Sequence, residues 1–186
     1  DVYGPDVFSE FILDFIERKQ DQPFFVYYPM VLVHDPFVPT PDSEAWSDPS
    51  KRYASDTAYF KDMMMYTDKI IGKIKNKLEA LNLTDNTIVI FTGDNGTHPT
   101  IYSETVSGII RGGKGNTTNA GTHVPLIVNW GKQIPEASRY AGVTEFSDFY
   151  ATFADLLQLD VETDGKSFLP VLRGVNSKPY RETAFV

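Results

Sequence analysis

Cysteine is absent from these 186 residues, histidine occurs three times and tryptophan twice. Without a thiol the chain holds no disulfide framework, no thiolate zinc site and no cysteine nucleophile. Three histidines leave little material for a multi-histidine metal cage, and no H-E-x-x-H, G-x-S-x-G or G-x-G-x-x-G occurs, so zincin, serine-hydrolase and dinucleotide-binding readings are set aside. No apolar run approaches the roughly 20 residues that a membrane span requires. A basic, then apolar, then small-residue leader pattern is also missing from the N-terminus. Positive charge is in deficit: 17 basic against 25 acidic residues give a formal charge of -8, the wrong sign for nucleic-acid binding. An anionic ligand therefore needs local cations or a metal ion.

What is present belongs to a packed globular chain. The hydrophobic fraction is 41%, with 13 Phe and 10 Tyr, and the length suits one domain with a sizeable core. After Pro5, apolar residues at Val7, Phe8, Phe11, Ile12, Phe15 and Ile16 recur at helical spacing up to Glu17-Arg18-Lys19. A second helix is predicted over 54–81, burying Phe60, Met63, Met64, Ile70, Ile71, Ile74, Leu78 and Leu81. Its lysines 69, 73, 75 and 77 read as a solvated face. A third is predicted over 146–159, burying Phe149, Phe153, Leu156 and Leu157.

Residues 24–28, Phe-Phe-Val-Tyr-Tyr between two prolines, read as a strand buried on both faces. Residues 87–92 and 124–130 read as further strands. Alternating helices and apolar strands predict an α/β fold with a mainly parallel sheet between helix layers, in which ligands collect beyond the carboxyl ends of the strands. The glycine-rich stretch 97–122 reads as polar connection. Residues 182–186 read as the start of another strand, and the first residues lack an initiator Met. Both termini are therefore expected to be interrupted, with a leader or a longer segment preceding Asp1.

Chemistry-capable residues sit at two strand ends. Gly93-Asp94-Asn95-Gly96 offers consecutive carboxylate and amide oxygens of the type hard divalent cations prefer, although the same residues also make ordinary β-turns. Arg111-Gly112-Gly113-Lys114-Gly115 sets one ammonium among glycines, which suits either close approach to an anion or an exposed flexible loop. His34, in His34-Asp35-Pro36, follows the first strand; histidine serves as acid, base or neutral donor near neutral pH, and equally as a structural residue.

Taken in order, the segments 23–28 with His34-Asp35-Pro36, the helix ending in YTDKIIGKIKNKLEALNL, NTIVIFTGDNG at 86–96, Gly112-Gly113-Lys114-Gly115, GTHVPLIV at 121–128, residues 148–159 and DGKSFLP at 164–170 closely resemble the sulfatase family of the alkaline-phosphatase superfamily. Ordered matches cover nearly the whole chain. The resemblance implies a sulfuric ester hydrolase acting on sulfate esters, among them those of carbohydrates, through a formylglycine nucleophile and one divalent ion, usually calcium, with magnesium as the alternative. It makes Asp94 and Asn95 metal ligands, His34 and Lys114 contacts of the sulfate and leaving oxygen, and His98 and His123 substrate-side residues. Relatives are often exported, which favours a periplasmic or extracellular location.

Two departures qualify the resemblance. The family's C/S-x-P-x-R nucleophile motif, and the paired aspartates that complete its metal site, are absent; Ser47-Asp48-Pro49-Ser50-Lys51 follows His34 and carries Lys in place of Arg, so it reads as a surface turn. His123 stands where many relatives carry Arg. The chain is thus expected to be one partial catalytic domain over 1–186, the carboxyl-side part, inactive by itself and partnered by the rest of the same polypeptide. Two alternatives stay open: a phosphoryl or phosphonate ester hydrolase of the same fold, which sits badly with Asn95 where those relatives show His, and a non-catalytic anion-binding module.

Overall fold

A computed structural model describes residues 2–175 and 179–185. They form two compact bodies, residues 1–127 and 128–186.

In the first body, helix α1 (Gly4–Lys19) has Pro5 in its first turn, Asp6 near the positive end of the helix dipole, and Arg18 and Lys19 near the negative end. Ile12 and Ile16, one turn apart, are buried against Leu78 of helix α2 (Tyr59–Ala80), with Ile74, Leu81, Phe24 and Tyr28 packed around them. Polar pairs tie the same two helices together: Tyr66 donates its hydroxyl to Asp6 at 2.7 Å, and Lys77 pairs with Glu17 at 2.7 Å. The lysine face is thus solvated but largely paired, since Lys69 meets Asp42 and Lys73 meets Asp6. Helix α2 starts five residues later than predicted, and Met64 is exposed, because Met63, Tyr66, Thr67, Ile70 and Leu78 make up the buried stripe.

The strands depart further from expectation. Strand β1 (Val89–Thr92) pairs with β4 (Leu126–Asn129), which begins inside the first body. Residues 24–28 join no ladder among the described residues. Phe24 and Tyr28 pack against the α1–α2 core, whereas Phe25 is 72% and Tyr27 80% exposed, so the segment is covered on one side only instead of two. A branched, aromatic run supplies strand propensity, but the ladder itself needs a neighbouring backbone. Within the stretch predicted to be polar connection lies an antiparallel hairpin, β2 (Tyr102–Thr105) and β3 (Gly108–Arg111), in which Tyr102 faces Arg111 across the ladder. Gly108 turns the chain at a φ of 114°, a conformation side chains resist. A single turn, α3 (Asn119–Thr122), precedes β4.

In the second body, helix α4 (Ser147–Leu156) buries Asp148, Ala151, Thr152 and Ala154, while its aromatic residues Phe149 and Phe153 pack on each other and Phe149 on Phe168. Leu157, predicted to be internal, lies beyond the helix and is exposed. The short helix α5 (Leu169–Leu172) follows. Residues 182–185 form no strand, and the end of the strand predicted there, Val186, lies outside the described residues.

Candidate active site

Two residues 80 positions apart meet: Lys114 Nζ lies 2.8 Å from His34 Nε2. The bonding around the imidazole fixes its proton. Nδ1 is 2.7 Å from the Asp35 carbonyl oxygen, which can only accept, so Nδ1 carries hydrogen; the Asp35 carboxylate, at 3.2 Å, supports the same orientation. An ammonium can only donate, so Nε2 offers its lone pair to Lys114. The result is a neutral imidazole in a defined tautomer that holds the ammonium in place and leaves it two further N–H donors. His34 is reached along the loop that follows the 24–28 segment, and Lys114 follows β3.

The Lys114 loop is held by backbone contacts close enough to require glycine. Lys114 N donates to Thr97 O at 3.0 Å, and Gly112 N to Ile101 O at 2.9 Å. A Cβ on Gly112 would sit 2.2 Å from His98 O, and a Cβ on Gly96 would sit 2.0 Å from Ala120 O, so neither position admits a side chain without displacing backbone. Gly96 N also donates to Gly121 O at 2.8 Å. Three segments, 93–98, 111–116 and 119–123, are thereby laced into one unit. Lys114 and the Asp94-Asn95 turn are fixed to the same scaffold.

That turn presents an asymmetric pair of oxygens. Asp94 is exposed, and among the described residues its carboxylate has no hydrogen-bonding or ionic partner. Asn95 Oδ1 is buried and unpartnered. A buried amide oxygen left without a donor costs about 1–3 kcal/mol, which is recovered when a cation or donor arrives. The donor set, one charged and one neutral oxygen, fits a hard divalent ion such as calcium or magnesium better than zinc. Among the described residues no group of three or more His, Asp or Glu side chains gathers to complete a metal cage.

The other predicted residues fall differently. His98 accepts from the Thr100 hydroxyl at 2.8 Å and the Thr100 amide at 3.3 Å through Nδ1, so its Nε2 bears the proton, the opposite tautomer to His34; its ring packs edge-on against Phe37. His123 is exposed just past α3, with its backbone amide bonded to Asn119 O at 3.0 Å. Ser47-Asp48-Pro49-Ser50-Lys51 is an exposed turn in which Asp48 Oδ1 accepts from the amide and hydroxyl of Ser50, and those bonds hold the Asp48 carboxyl below its ordinary range. Sequence reading did not single out the bonds of His34 to Asp35 or of Lys114 to Thr97. The first ends on a backbone carbonyl and the second is wholly backbone, and a backbone partner leaves no residue-type signal.

A profile of the sulfatase family matches residues 3–159. The chain belongs to the sulfatase family. An N-acetylgalactosamine-6-O-sulfatase of Bacteroides thetaiotaomicron is 33% identical over 183 residues, covering 91% of this chain and 34% of that protein. An arylsulfatase of Hemicentrotus pulcherrimus is 32% identical over 94% of this chain and 31% of its own length. The crystal structure of Ps i-CgsB in complex with k-i-k-neocarrahexaose superposes with a TM-score of 0.74 at 26% identity, over 91% of this chain and 38% of that one. This sulfatase chain therefore spans about a third of the length of the curated relatives it matches. Its α/β architecture is that of the solved sulfatases, and no helix among the described residues is long and apolar enough to cross a membrane.

Proposed function

We propose that these residues form part of the catalytic domain of a sulfuric ester hydrolase, in which His34 and Lys114 meet the sulfate and its leaving oxygen, and Asp94 and Asn95 hold a calcium or magnesium ion. The observation that carries this reading is the 2.8 Å contact of Lys114 with the lone-pair side of His34, on a scaffold shared with the partnerless Asn95 oxygen. A sulfate monoester is anionic, and S–O cleavage gathers charge on the departing oxygen. Lys114 supplies two N–H donors to that charge. His34 orients the ammonium and, on taking up a proton at Nε2, becomes a donor to the leaving oxygen. The divalent ion, when bound, offsets the charge of the sulfate in a chain whose own net charge is -8. His98 and His123 remain substrate-side in this reading.

A formylglycine formed at a C/S-x-P-x-R motif supplies the nucleophile. These 186 residues hold no such motif, so turnover needs a polypeptide that also carries one. β1, β4 and the apolar segment 24–28 are then what this chain has available to the family's mainly parallel sheet, a reading supported by the superposition on solved sulfatases. A sulfated carbohydrate is the substrate class we favour, from the N-acetylgalactosamine-6-O-sulfatase and neocarrahexaose-bound relatives.

The test is the preference of the full-length gene product between 4-nitrophenyl sulfate and 4-nitrophenyl phosphate, with and without chelator. Sulfate hydrolysis at least tenfold above phosphate hydrolysis, lost with EDTA and restored by calcium or magnesium, is the expected result. Phosphate preference would overturn it in favour of the phosphoryl ester hydrolase, and no hydrolysis of either ester in favour of the anion-binding module.

A further inference from the structure

A cleft of about 380 Å³ opens beside the base of the β2–β3 hairpin, lined by Asp56, Thr57, Phe60, Lys61, Thr100 and Tyr102 among others. Both of its walls are continuous with the loops that carry the reactive pair. On one side, Asp56 N donates to Phe37 O at 2.9 Å, and Phe37 lies three residues beyond His34. On the other, Ile101, between Thr100 and Tyr102, accepts from Gly112 N, and two further residues, at most ~7 Å of chain, reach Lys114. His98 bridges the two walls, since its ring packs on Phe37 and its backbone oxygen accepts from Ile101 N at 3.0 Å.

The groups at this cleft have the character of a carbohydrate site. Tyr102 is 63% exposed, and the Arg111 guanidinium lies over its ring at 5.8 Å while Arg111 Nε is anchored on Pro99 O at 2.8 Å. That anchoring keeps an aromatic face and a cation side by side. Thr57 and Thr100 add hydroxyls within the same walls. Lys61, in the first turn of α2, and Arg111 and Lys114 make no ion pair among the described residues. In a chain of net charge -8, three cations without an ion-pair partner, at the start of α2, the end of β3 and the loop after it, favour an anionic ligand that extends beyond one sulfate group.

Building on the sulfatase reading, we propose that this cleft is a subsite for the saccharide unit next to the one carrying the scissile ester. Tyr102 stacks on the sugar ring, and Lys61 and Arg111 receive its anionic substituent. The enzyme then recognises a sulfated oligosaccharide by length, with the reactive pair and the cleft each taking one unit.

The experiment measures KM and kcat of the full-length gene product on N-acetylgalactosamine 6-sulfate and on a chondroitin 6-sulfate tetrasaccharide, for wild type, Tyr102→Ala, Tyr102→Phe and Lys61→Ala. Wild type is expected to show a KM at least tenfold lower for the tetrasaccharide. Tyr102→Ala and Lys61→Ala should bring the ratio of the two KM values close to one, with kcat on the tetrasaccharide held, and Tyr102→Phe should restore it. Equal KM values for the two substrates in wild type, or a ratio untouched by Tyr102→Ala and Lys61→Ala, overturns the subsite while leaving the sulfatase reading intact. No hydrolysis of either saccharide or of 4-nitrophenyl sulfate overturns both.

Discussion

Asp148 and Asn95 each hold side-chain oxygen away from solvent, one in each body of the molecule, and their surroundings are opposite. The Asp148 carboxylate receives the Arg181 guanidinium through Nε and Nη2, the Tyr180 hydroxyl at 2.9 Å, and the amides of Lys166 at 2.8 Å and Glu145 at 3.0 Å. Asn95 Oδ1 receives nothing. Burial alone would raise the Asp148 carboxyl, but Arg181, the two amides and Tyr180 outweigh it and hold the group below the usual carboxylate range. A buried polar group saturated by its own chain is architecture, because it has no capacity left for a ligand. One left unsaturated on a rigid scaffold is poised for something the chain does not itself supply.

The largest effect that would break this contrast comes from Asp148. Asp148→Ala leaves Arg181, only 11% exposed, with Glu145 at 2.9 Å as its one remaining ionic partner among the described residues, and is expected to cost about 3–5 kcal/mol, read as a lower urea midpoint. A marginally stable fold would lose much of its margin. The pH dependence has a definite sign. With a folded-state pKa below the unfolded value near 3.9, the contribution of Asp148 is complete above that pH and is lost as pH falls through the depressed folded value. Asp148→Asn should flatten the acid limb of stability. A loss under about 1 kcal/mol for Asp148→Ala would mean the network is decoration, and the contrast would fail.

Lys114 tests the other side. It is half-buried, its side chain pairs among the described residues with a neutral imidazole nitrogen alone, and it has N–H donors to spare. In the full-length product, Lys114→Ala should leave the stability within about 0.5 kcal/mol of wild type yet lower kcat on a sulfate ester about 10²–10³-fold, the range seen when one positioned donor to developing negative charge is removed. Equal loss of stability and activity would place Lys114 with Asp148, as part of the scaffold.

What the sequence disclosed follows the range of each interaction. Helices α1 and α2 are legible because Ile12/Ile16 and Ile70/Ile74/Leu78 repeat at the helical period within one segment. His34, Asp94, Asn95 and Lys114 are legible as chemical types on loops, and through the family resemblance. Their assembly is not, because it joins residues 80 positions apart and rests on loop-to-loop backbone contacts such as Lys114 N to Thr97 O, whose partners no local pattern names. The 24–28 segment misleads for a related reason: apolar branched and aromatic residues signal strand propensity, but whether a ladder forms depends on a backbone elsewhere. The β2–β3 hairpin did leave a local trace, with Tyr102, Glu104, Ile109 and Arg111 alternating about Gly108, which the surrounding glycines and threonines masked. The Asp148–Arg181 pair left none, since 33 positions separate its members.

Asn95 gives the smallest effect and the sharpest discrimination. Because Oδ1 has no hydrogen-bond partner among the described residues, Asn95→Ala removes an acceptor whose burial costs about 1–3 kcal/mol, offset by the side chain's lost packing, and the metal-free protein should be at least as stable as wild type. The difference should emerge only with calcium. At an ion concentration a hundredfold above Kd, the wild-type full-length product should gain about 2.7 kcal/mol and the variant almost nothing, read as parallel urea or thermal titrations. A metal-free cost of about 1–3 kcal/mol would show that the oxygen is engaged by the folded chain itself, as the Asp148 oxygens are. Equal calcium stabilisation of both proteins would move the cation away from the Asp94-Asn95 turn, leaving the unsatisfied oxygen without a ligand to explain it.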